Sequence, residues 1–119
     1  YREGVGVTVI DPRWVKPLPQ SLISMAQRYK SVVVLEDGIR HGGIASSISE
    51  LFRDSGVNVP LHSIGVPLDF LEHSKRSEIL NDIGVTAQNI ARSVVEWSSS
   101  FKEEMQPQLD ENANRTQNR

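Results

Sequence analysis

The sequence predicts an α/β fold built on a mostly parallel sheet, and three observations support this prediction. Short apolar runs alternate along the chain with longer stretches whose apolar residues recur at helical spacing. The run VVVL at 32–35 is continuously apolar, which is typical of a parallel strand covered on both faces. Helices between successive strands favour right-handed crossovers, which bring the carboxyl ends of the strands to one edge of the sheet. We therefore expect the loops at 11–16, 36–43 and 65–73 to be neighbours at that edge.

Three segments are predicted as strands. In the first, over 5–10, valines alternate with other residues, and the strand ends before a proline because proline cannot donate a ladder hydrogen bond. The second covers 32–35, directly after a serine. The third, over 59–66, has the weakest pattern because it contains a proline and a glycine.

Four segments are predicted as helices, each from an apolar stripe with the spacing of a helical face. Ser74 and Thr86 are suited to cap the last two, and Gly56 and Gly84 are suited to the left-handed position that follows a helix. The four predicted helices run from Leu18 to Tyr29, from Ile44 until Gly56, from Ser74 to Ile83 and from Thr86 to Phe101.

The length of 119 residues predicts one domain, which we place at 1–101. The remaining segment, 102–119, is polar and rich in Asn and Gln, so we expect a disordered tail. Because the chain begins at Tyr1 rather than at a methionine, only a few residues before the first strand, we expect it to be a fragment.

Composition excludes several classes of function. The formal net charge of -2, with acids and bases interspersed, argues against a nucleic-acid or anionic-membrane binder. The chain has no cysteine, so it can have neither a disulfide nor a thiolate nucleophile. No apolar run approaches the roughly 20 residues that span a bilayer, and no signal peptide precedes the first strand. We therefore expect a soluble, cytoplasmic protein.

The loop after the second strand is the first candidate site. Glu36 and Asp37 precede Gly42 and Gly43, which can open a helix whose free backbone N–H groups attract an anion. The spacing matches neither the dinucleotide-binding nor the P-loop pattern, and two carboxylates beside the site would repel an anion. A structural turn is the favoured interpretation.

Other polar residues near the predicted edge suggest no complete active site. The histidines at 41, 62 and 73 lack the spacing of metal ligands, and no serine lies in a nucleophile-elbow motif. Four cations could bind phosphate there, although solvated or ion-paired roles are favoured: Arg13, Lys16, Arg40 and Arg76. The sequence therefore predicts no catalytic, cofactor-binding or metal-binding residue in this chain.

Three segments together resemble the C-terminal part of the 1-deoxy-D-xylulose-5-phosphate synthase family. The specific elements are DPRWVKP after the first strand, the LEDG and GG of the following loop, a GxPxxFxxH run and the GVT triplet. Each element is weak alone, but their order and spacing are specific. The matching segments are VTVIDPRWVKPLP at 7–19, VVVLEDGIRHGGIASSISELF at 32–52 and VPLHSIGVPLDFLEHSKRSEILNDIGVTAQNIARSV at 59–94.

The resemblance implies a homodimeric thiamine-diphosphate enzyme of the transketolase superfamily. Such an enzyme decarboxylates pyruvate and joins the two-carbon unit to D-glyceraldehyde 3-phosphate, and its product feeds isoprenoid, thiamine and pyridoxal phosphate synthesis. The family binds the cofactor and its Mg²⁺ in two preceding domains, so the resemblance implies neither in this chain.

The resemblance also implies a three-layer α/β/α domain around a five-stranded mixed sheet. This chain would begin after the first two strands and the first helix of that domain. One absent strand would then lie between the segments at 5–10 and 32–35, so we expect these segments either to pair directly or to leave a gap.

Two hypotheses of different classes follow. The first is a fragment of a synthase that supports the catalytic domains and the dimer without chemistry of its own, with a 2-oxoacid dehydrogenase β subunit as a related alternative. The second is an independent α/β module that binds a small ligand or a protein. Under the first, a possible domain-contact edge comprises Asp11, Arg13, Trp14, Glu36, Asp37, Arg40, His41, Gly42, Gly43 and His73.

Overall fold

The computed structural model describes residues 4–100, in which helices alternate with the strands of a parallel sheet. None of the helices in this part of the chain is both long and apolar enough to cross a membrane. The elements are α1 (Ser21–Ala26), β1 (Val32–Ile39), α2 (Ile44–Asp54), β2 (Leu61–Val66), α3 (Arg76–Asp82) and a further helix, α4, over 87–100.

The sheet of the described residues consists of β1 and β2, which pair in parallel. Their register is regular from Val32 opposite Leu61 to Leu35 opposite Ile64, and it shifts before Ile39 pairs with Val66. The predicted α/β fold with a parallel sheet is confirmed. β1 continues four residues beyond the predicted 32–35. The acidic residues that suggested a loop remain in the strand, because Glu36 accepts a hydrogen bond and Asp37 forms an ion pair from there.

The core lies on one face of the sheet, under α2. Val34 of β1 is buried against Ala45, Ile48 and Phe52 of α2, whose i, i+3 and i+7 positions form a single apolar stripe. Ala26, the one buried residue of α1, belongs to the same cluster. Both helices therefore pack against the face of the sheet to which Val34 points.

The opposite face of the sheet is covered over β2 by α4. Side chains alternate along a strand, so His62 points away from the face that its core-packed neighbour Leu61 occupies. The His62 ring stacks on that of Trp97 in α4, with centroids 4.1 Å apart and planes 4° from parallel. Helices therefore lie on both faces, as in a three-layer α/β/α domain. Over β1 this face is uncovered, and Leu35 is 55% exposed.

The predicted strand at 5–10 is absent, which is a correction to the sequence-based fold. No residue of this segment is extended in a sheet, and Val9 is 91% exposed. Among residues 4–100, its one polar contact outside the segment is a hydrogen bond of 2.8 Å from the Tyr29 hydroxyl to Thr8. A strand requires a paired neighbour, and β1 does not serve as one, so of the two expected outcomes the structure shows the gap.

Helix ends differ from the predictions by a few residues. α1 is shorter than the predicted 18–29, since both prolines precede it, and α3 begins at Arg76 instead of at Ser74. The cap at Thr86 is confirmed, because its hydroxyl accepts a hydrogen bond from the Asn89 N–H at 3.3 Å. Gly56 and Gly84 adopt the predicted left-handed conformation, with φ of 69° and 77°. Phe101 and the predicted tail at 102–119 lie outside the described residues.

The packing of α2 on β1 predicts that two phenylalanines contribute very differently to the free energy of unfolding. We expect Phe52→Ala to lower the free energy of unfolding by about 3 kcal/mol or more, because this side chain is 5% exposed and its removal leaves a cavity. We expect Phe70→Ala, at a side chain that is 98% exposed, to change it by less than about 0.5 kcal/mol. Urea denaturation measures both, and equal losses would contradict the placement of the core.

Candidate functional site

The candidate site is the edge of the sheet where β1 and β2 end. Ile39 pairs with Val66, and the Arg40 N–H donates to the Val66 carbonyl at 2.9 Å. These contacts bring the loop after β1 beside the loop after β2. The sequence predicted this convergence for 36–43 and 65–73, and the structure confirms it where the two strands end.

Glu36 occupies the amino terminus of α2. Its Oε2 accepts a hydrogen bond of 2.8 Å from the Ile44 N–H, the first residue of that helix. The N-cap residue of α2 is Gly43, which has no side chain to do this. The Glu36 carboxylate therefore takes the position that was considered for an external anion, and the favoured interpretation of the loop as a structural turn agrees with this geometry.

The fit between Glu36 and the following loop requires glycine at 43. A Cβ on Gly43 would lie 2.1 Å from Oε2 of Glu36, which is far below any permitted contact. Gly42 has φ of 73°, a left-handed conformation that other residues rarely adopt. The glycine pair thus lets the chain turn back from β1 and brings the start of α2 onto the carboxylate. The second carboxylate oxygen, Oε1, is buried and has no hydrogen-bond partner within 4–100.

Asp37, the next residue, points to the other face and pairs with Arg76 at the start of α3. Both side chains are well exposed, so water screens the ion pair, and it contributes at most about 1 kcal/mol. The pair connects β1 to the segment that follows β2. It also shows that Arg76, one of four candidate phosphate-binding cations, is ion-paired.

The loop at 11–16 makes only local polar contacts. Asp11 accepts a hydrogen bond from the Arg13 N–H at 2.9 Å and forms an exposed ion pair with its guanidinium at 3.3 Å. Trp14 is 72% exposed. Between residues 4 and 100, no hydrogen bond or ion pair joins this loop to the loops after β1 and β2. Of the three loops that were expected to lie together, only those after β1 and β2 do so in the described part of the chain.

The histidines do not form a metal site in the described part of the chain. His41 and His73 are exposed, and His62 is stacked on Trp97 with a buried Nε2 that has no partner there. No group of three or more His, Asp or Glu residues within 4–100 is close enough to hold a metal ion. These residues therefore do not fit a Mg²⁺ ion or a cofactor bound through one.

A surface pocket of about 210 Å³ opens beside the carboxyl end of β2. Arg40 was predicted from the sequence as a candidate cation at this edge, but the polar residues that lie around it were not predicted. No motif marks them, because they come from β2 and α4, which are far apart in sequence. The polar and aromatic residues that line the pocket are Arg40, Ser63, Asn89, Ser93 and Trp97.

The contact between Glu36 and α2 was also not predicted from the sequence. A usable signal exists: the helix begins after two glycines, so its first N–H groups need an acceptor from elsewhere in the chain. Glu36 is the acidic residue that leaves the preceding strand on the side of the core. The pairing of Asp37 with Arg76 spans 39 positions and has no comparable local signal.

Comparison with known proteins agrees with these structural features. Residues 1–90 match the family described as transketolase, C-terminal domain. The chain is 50% identical over 95 residues to a 1-deoxy-D-xylulose-5-phosphate synthase of Saccharopolyspora erythraea, an alignment that covers 80% of this chain and 15% of that protein. It is 45% identical over 96 residues to a 1-deoxy-D-xylulose-5-phosphate synthase of Rhodococcus jostii, and that alignment covers 81% of this chain and 15% of the relative. A Streptomyces coelicolor relative named 1-deoxy-D-xylulose-5-phosphate synthase 2 is 46% identical over 93 residues, and that alignment covers 78% of this chain and 14% of the relative.

The chain spans about 15% of the length of the curated relatives that it matches. The match to the family covers the strands β1 and β2, the helices α1, α2 and α3, and the loops at the candidate edge. The resemblance derived from the sequence motifs is thereby confirmed, and the chain belongs to the transketolase C-terminal domain family.

Proposed function

We propose that this chain is the C-terminal domain of a 1-deoxy-D-xylulose-5-phosphate synthase. The complete enzyme would convert pyruvate and D-glyceraldehyde 3-phosphate to 1-deoxy-D-xylulose 5-phosphate and CO₂, and supply isoprenoid, thiamine and pyridoxal phosphate synthesis. The support is the family match over 1–90 together with relatives of that name at 45–50% identity. These names also favour a synthase over the β subunit of a 2-oxoacid dehydrogenase.

The chemistry of that enzyme depends on thiamine diphosphate and Mg²⁺. Since residues 4–100 provide no group of metal ligands, we assign both to parts of the enzyme outside this chain and derive no step through them. The role of this chain is then to support the catalytic domains and the homodimer, in the cytoplasm and without a membrane or nucleic-acid partner.

The observation that carries the supporting role is the set of exposed apolar side chains at the carboxyl edge. Phe70 is 98% exposed and Leu68 is 68% exposed, and both belong to the loop after β2 on the candidate edge. Ile39, the last residue of β1, is 51% exposed. Apolar side chains gathered in this way favour contact with another protein surface, and the preceding domains of the same enzyme are the partner that we propose.

Eight of the ten residues of the proposed domain-contact edge fall into three groups by what surrounds them. Trp14, His41 and His73 are exposed and are available to touch another domain. Glu36 and Gly43 contact each other and hold the loop in place from within. Asp11 with Arg13, and Asp37 with Arg76, form ion pairs that keep the surface of the edge polar between its apolar side chains.

The synthase hypothesis and the independent-module hypothesis predict different sequences upstream of Tyr1. A magnesium and thiamine-diphosphate motif encoded in frame before Tyr1 supports the synthase. A start codon immediately before Tyr1 supports a separate binding module. Reading the upstream sequence therefore distinguishes the two hypotheses.

The first functional prediction concerns the chain alone. We expect the purified 119-residue chain to form no 1-deoxy-D-xylulose 5-phosphate from pyruvate and D-glyceraldehyde 3-phosphate, even with thiamine diphosphate and Mg²⁺ added. The intact Saccharopolyspora erythraea synthase, assayed in parallel, is the positive control. Product formed by the chain alone would overturn the assignment of chemistry to other domains.

The second prediction concerns Glu36 in the full-length protein. We expect Glu36→Gln to lower the free energy of unfolding by about 1–2 kcal/mol, because it removes the charge from a partly buried hydrogen bond at a helix amino terminus. Glu50→Gln, an exposed change within the same helix, should have little effect. Thermal melting, gel filtration and turnover measure the outcome. A large loss of turnover with unchanged melting and dimerisation would contradict a supporting role for this residue.

The third prediction separates the contact between Gly43 and Glu36 from other effects of glycine substitution. We expect Gly43→Ala to destabilise the protein by at least as much as Glu36→Ala, since its Cβ would occupy the space of the carboxylate. In a Glu36→Ala background the cost of Gly43→Ala should fall by more than about 1 kcal/mol. Gly38→Ala, where a Cβ would meet nothing within 4 Å, is the matched control in β1. Additive effects of Gly43→Ala and Glu36→Ala would contradict the contact.

A further inference from the structure

The pocket between the end of β2 and α4 has the composition of an anion site. Arg40 is the one charged residue that lines it, and none of the lining residues is acidic. It lies at the carboxyl edge of parallel strands, which is where open α/β sheets commonly bind ligands. Position and charge therefore point to the same class of ligand.

The hydrogen-bonding groups around the pocket are unused. Within residues 4–100, the guanidinium of Arg40 makes no hydrogen bond or ion pair, whereas those of Arg13 and Arg76 are paired with aspartates. The Ser93 hydroxyl likewise has no partner in this part of the chain, and Asn89 uses only its backbone N–H. A positive charge and several neutral polar groups thus converge on one space without satisfying each other.

The geometry of α4 brings three of these side chains together. Asn89, Ser93 and Trp97 follow one another at intervals of four positions, so they lie above one another on one face of the helix. Asn89 is in the first turn, near the positive end of the helix dipole. Trp97 is held by its stack on His62 and forms a fixed wall.

We propose that this pocket binds the phosphate group of a small phosphate monoester. A guanidinium, a hydroxyl and an amide offer more donors than the two oxygens of a carboxylate can accept, but they suit the terminal oxygens of a phosphate. A pocket of about 210 Å³ has room for a phosphate with a short carbon chain, and isoleucine side chains supply the apolar part of its lining. Arg40 provides the charge, while Asn89 and Ser93 orient the oxygens. The site is independent of the proposed function, which assigns no ligand to this chain.

The test is a titration with inorganic phosphate monitored by tryptophan fluorescence. The chain has two tryptophans, so a Trp14→Phe background leaves Trp97, in the pocket wall, as the single reporter. We expect a saturable change with phosphate and none with sodium chloride at matched ionic strength. The temperature of unfolding should rise over the same range of phosphate concentration. Absence of saturable binding would overturn the proposal.

Two charge-matched variants decide whether the pocket is responsible. Arg40→Gln should weaken phosphate binding at least about tenfold, since it removes the charged donor. Arg92→Gln removes the same charge from an exposed position on α4 that does not line the pocket, and it should weaken binding less than about twofold. Equal weakening by both would show non-specific charge attraction and overturn the site.

A steric variant and a second anion complete the test. Ser93→Leu fills the pocket without changing charge, and it should abolish the fluorescence change while far-UV circular dichroism stays unchanged. Retained binding in Ser93→Leu would contradict the site. Acetate, titrated in the same way, should bind at least about tenfold more weakly than phosphate, and equal affinity would overturn the choice of a phosphate ligand.

Discussion

The hydrogen bond from the Ile44 N–H to the Glu36 carboxylate joins the two elements around which the described structure is organised. Glu36 belongs to β1, and Ile44 is the first residue of α2. The contact fixes where α2 starts relative to the strand, and this position places Phe52, two turns later, over Val34 in the core. A carboxylate in this position also supplies the negative charge that a helix amino terminus favours. One polar contact thus sets the register of the apolar packing.

The sequence predicted the order and type of most elements and a parallel sheet, because these depend on local patterns and on the alternation of strands with helices. Gly56 and Gly84 were assigned correctly for the same reason, since the left-handed conformation after a helix is a property of the residue itself. The segment at 5–10 was assigned incorrectly. Its alternating valines have the propensity of a strand, but a strand also requires a paired neighbour, which no local pattern reveals.

The candidate edge was predicted in part. Its position followed from the rule for parallel sheets, and the loop at Gly42 and Gly43 followed from composition. The partner of each charged side chain did not follow, because Asp37 meets Arg76 across 39 positions, whereas Asp11 meets Arg13 within its own turn. Family resemblance added the identity of the fold, but it carried no information on which side chains satisfy one another.

The unpaired side of β1 has a consequence for the behaviour of the chain in solution. Within residues 4–100, β1 has one hydrogen-bonded neighbour, so along its other side a row of backbone donors and acceptors faces outward beside Leu35 and Ile39, which are 55% and 51% exposed. Natural sheets protect such strands with charges, prolines or covering segments, because an open edge is a template for another chain. When nothing covers this edge, edge-to-edge association between copies competes with the monomer. The concentration at which the chain is handled then determines which species is observed.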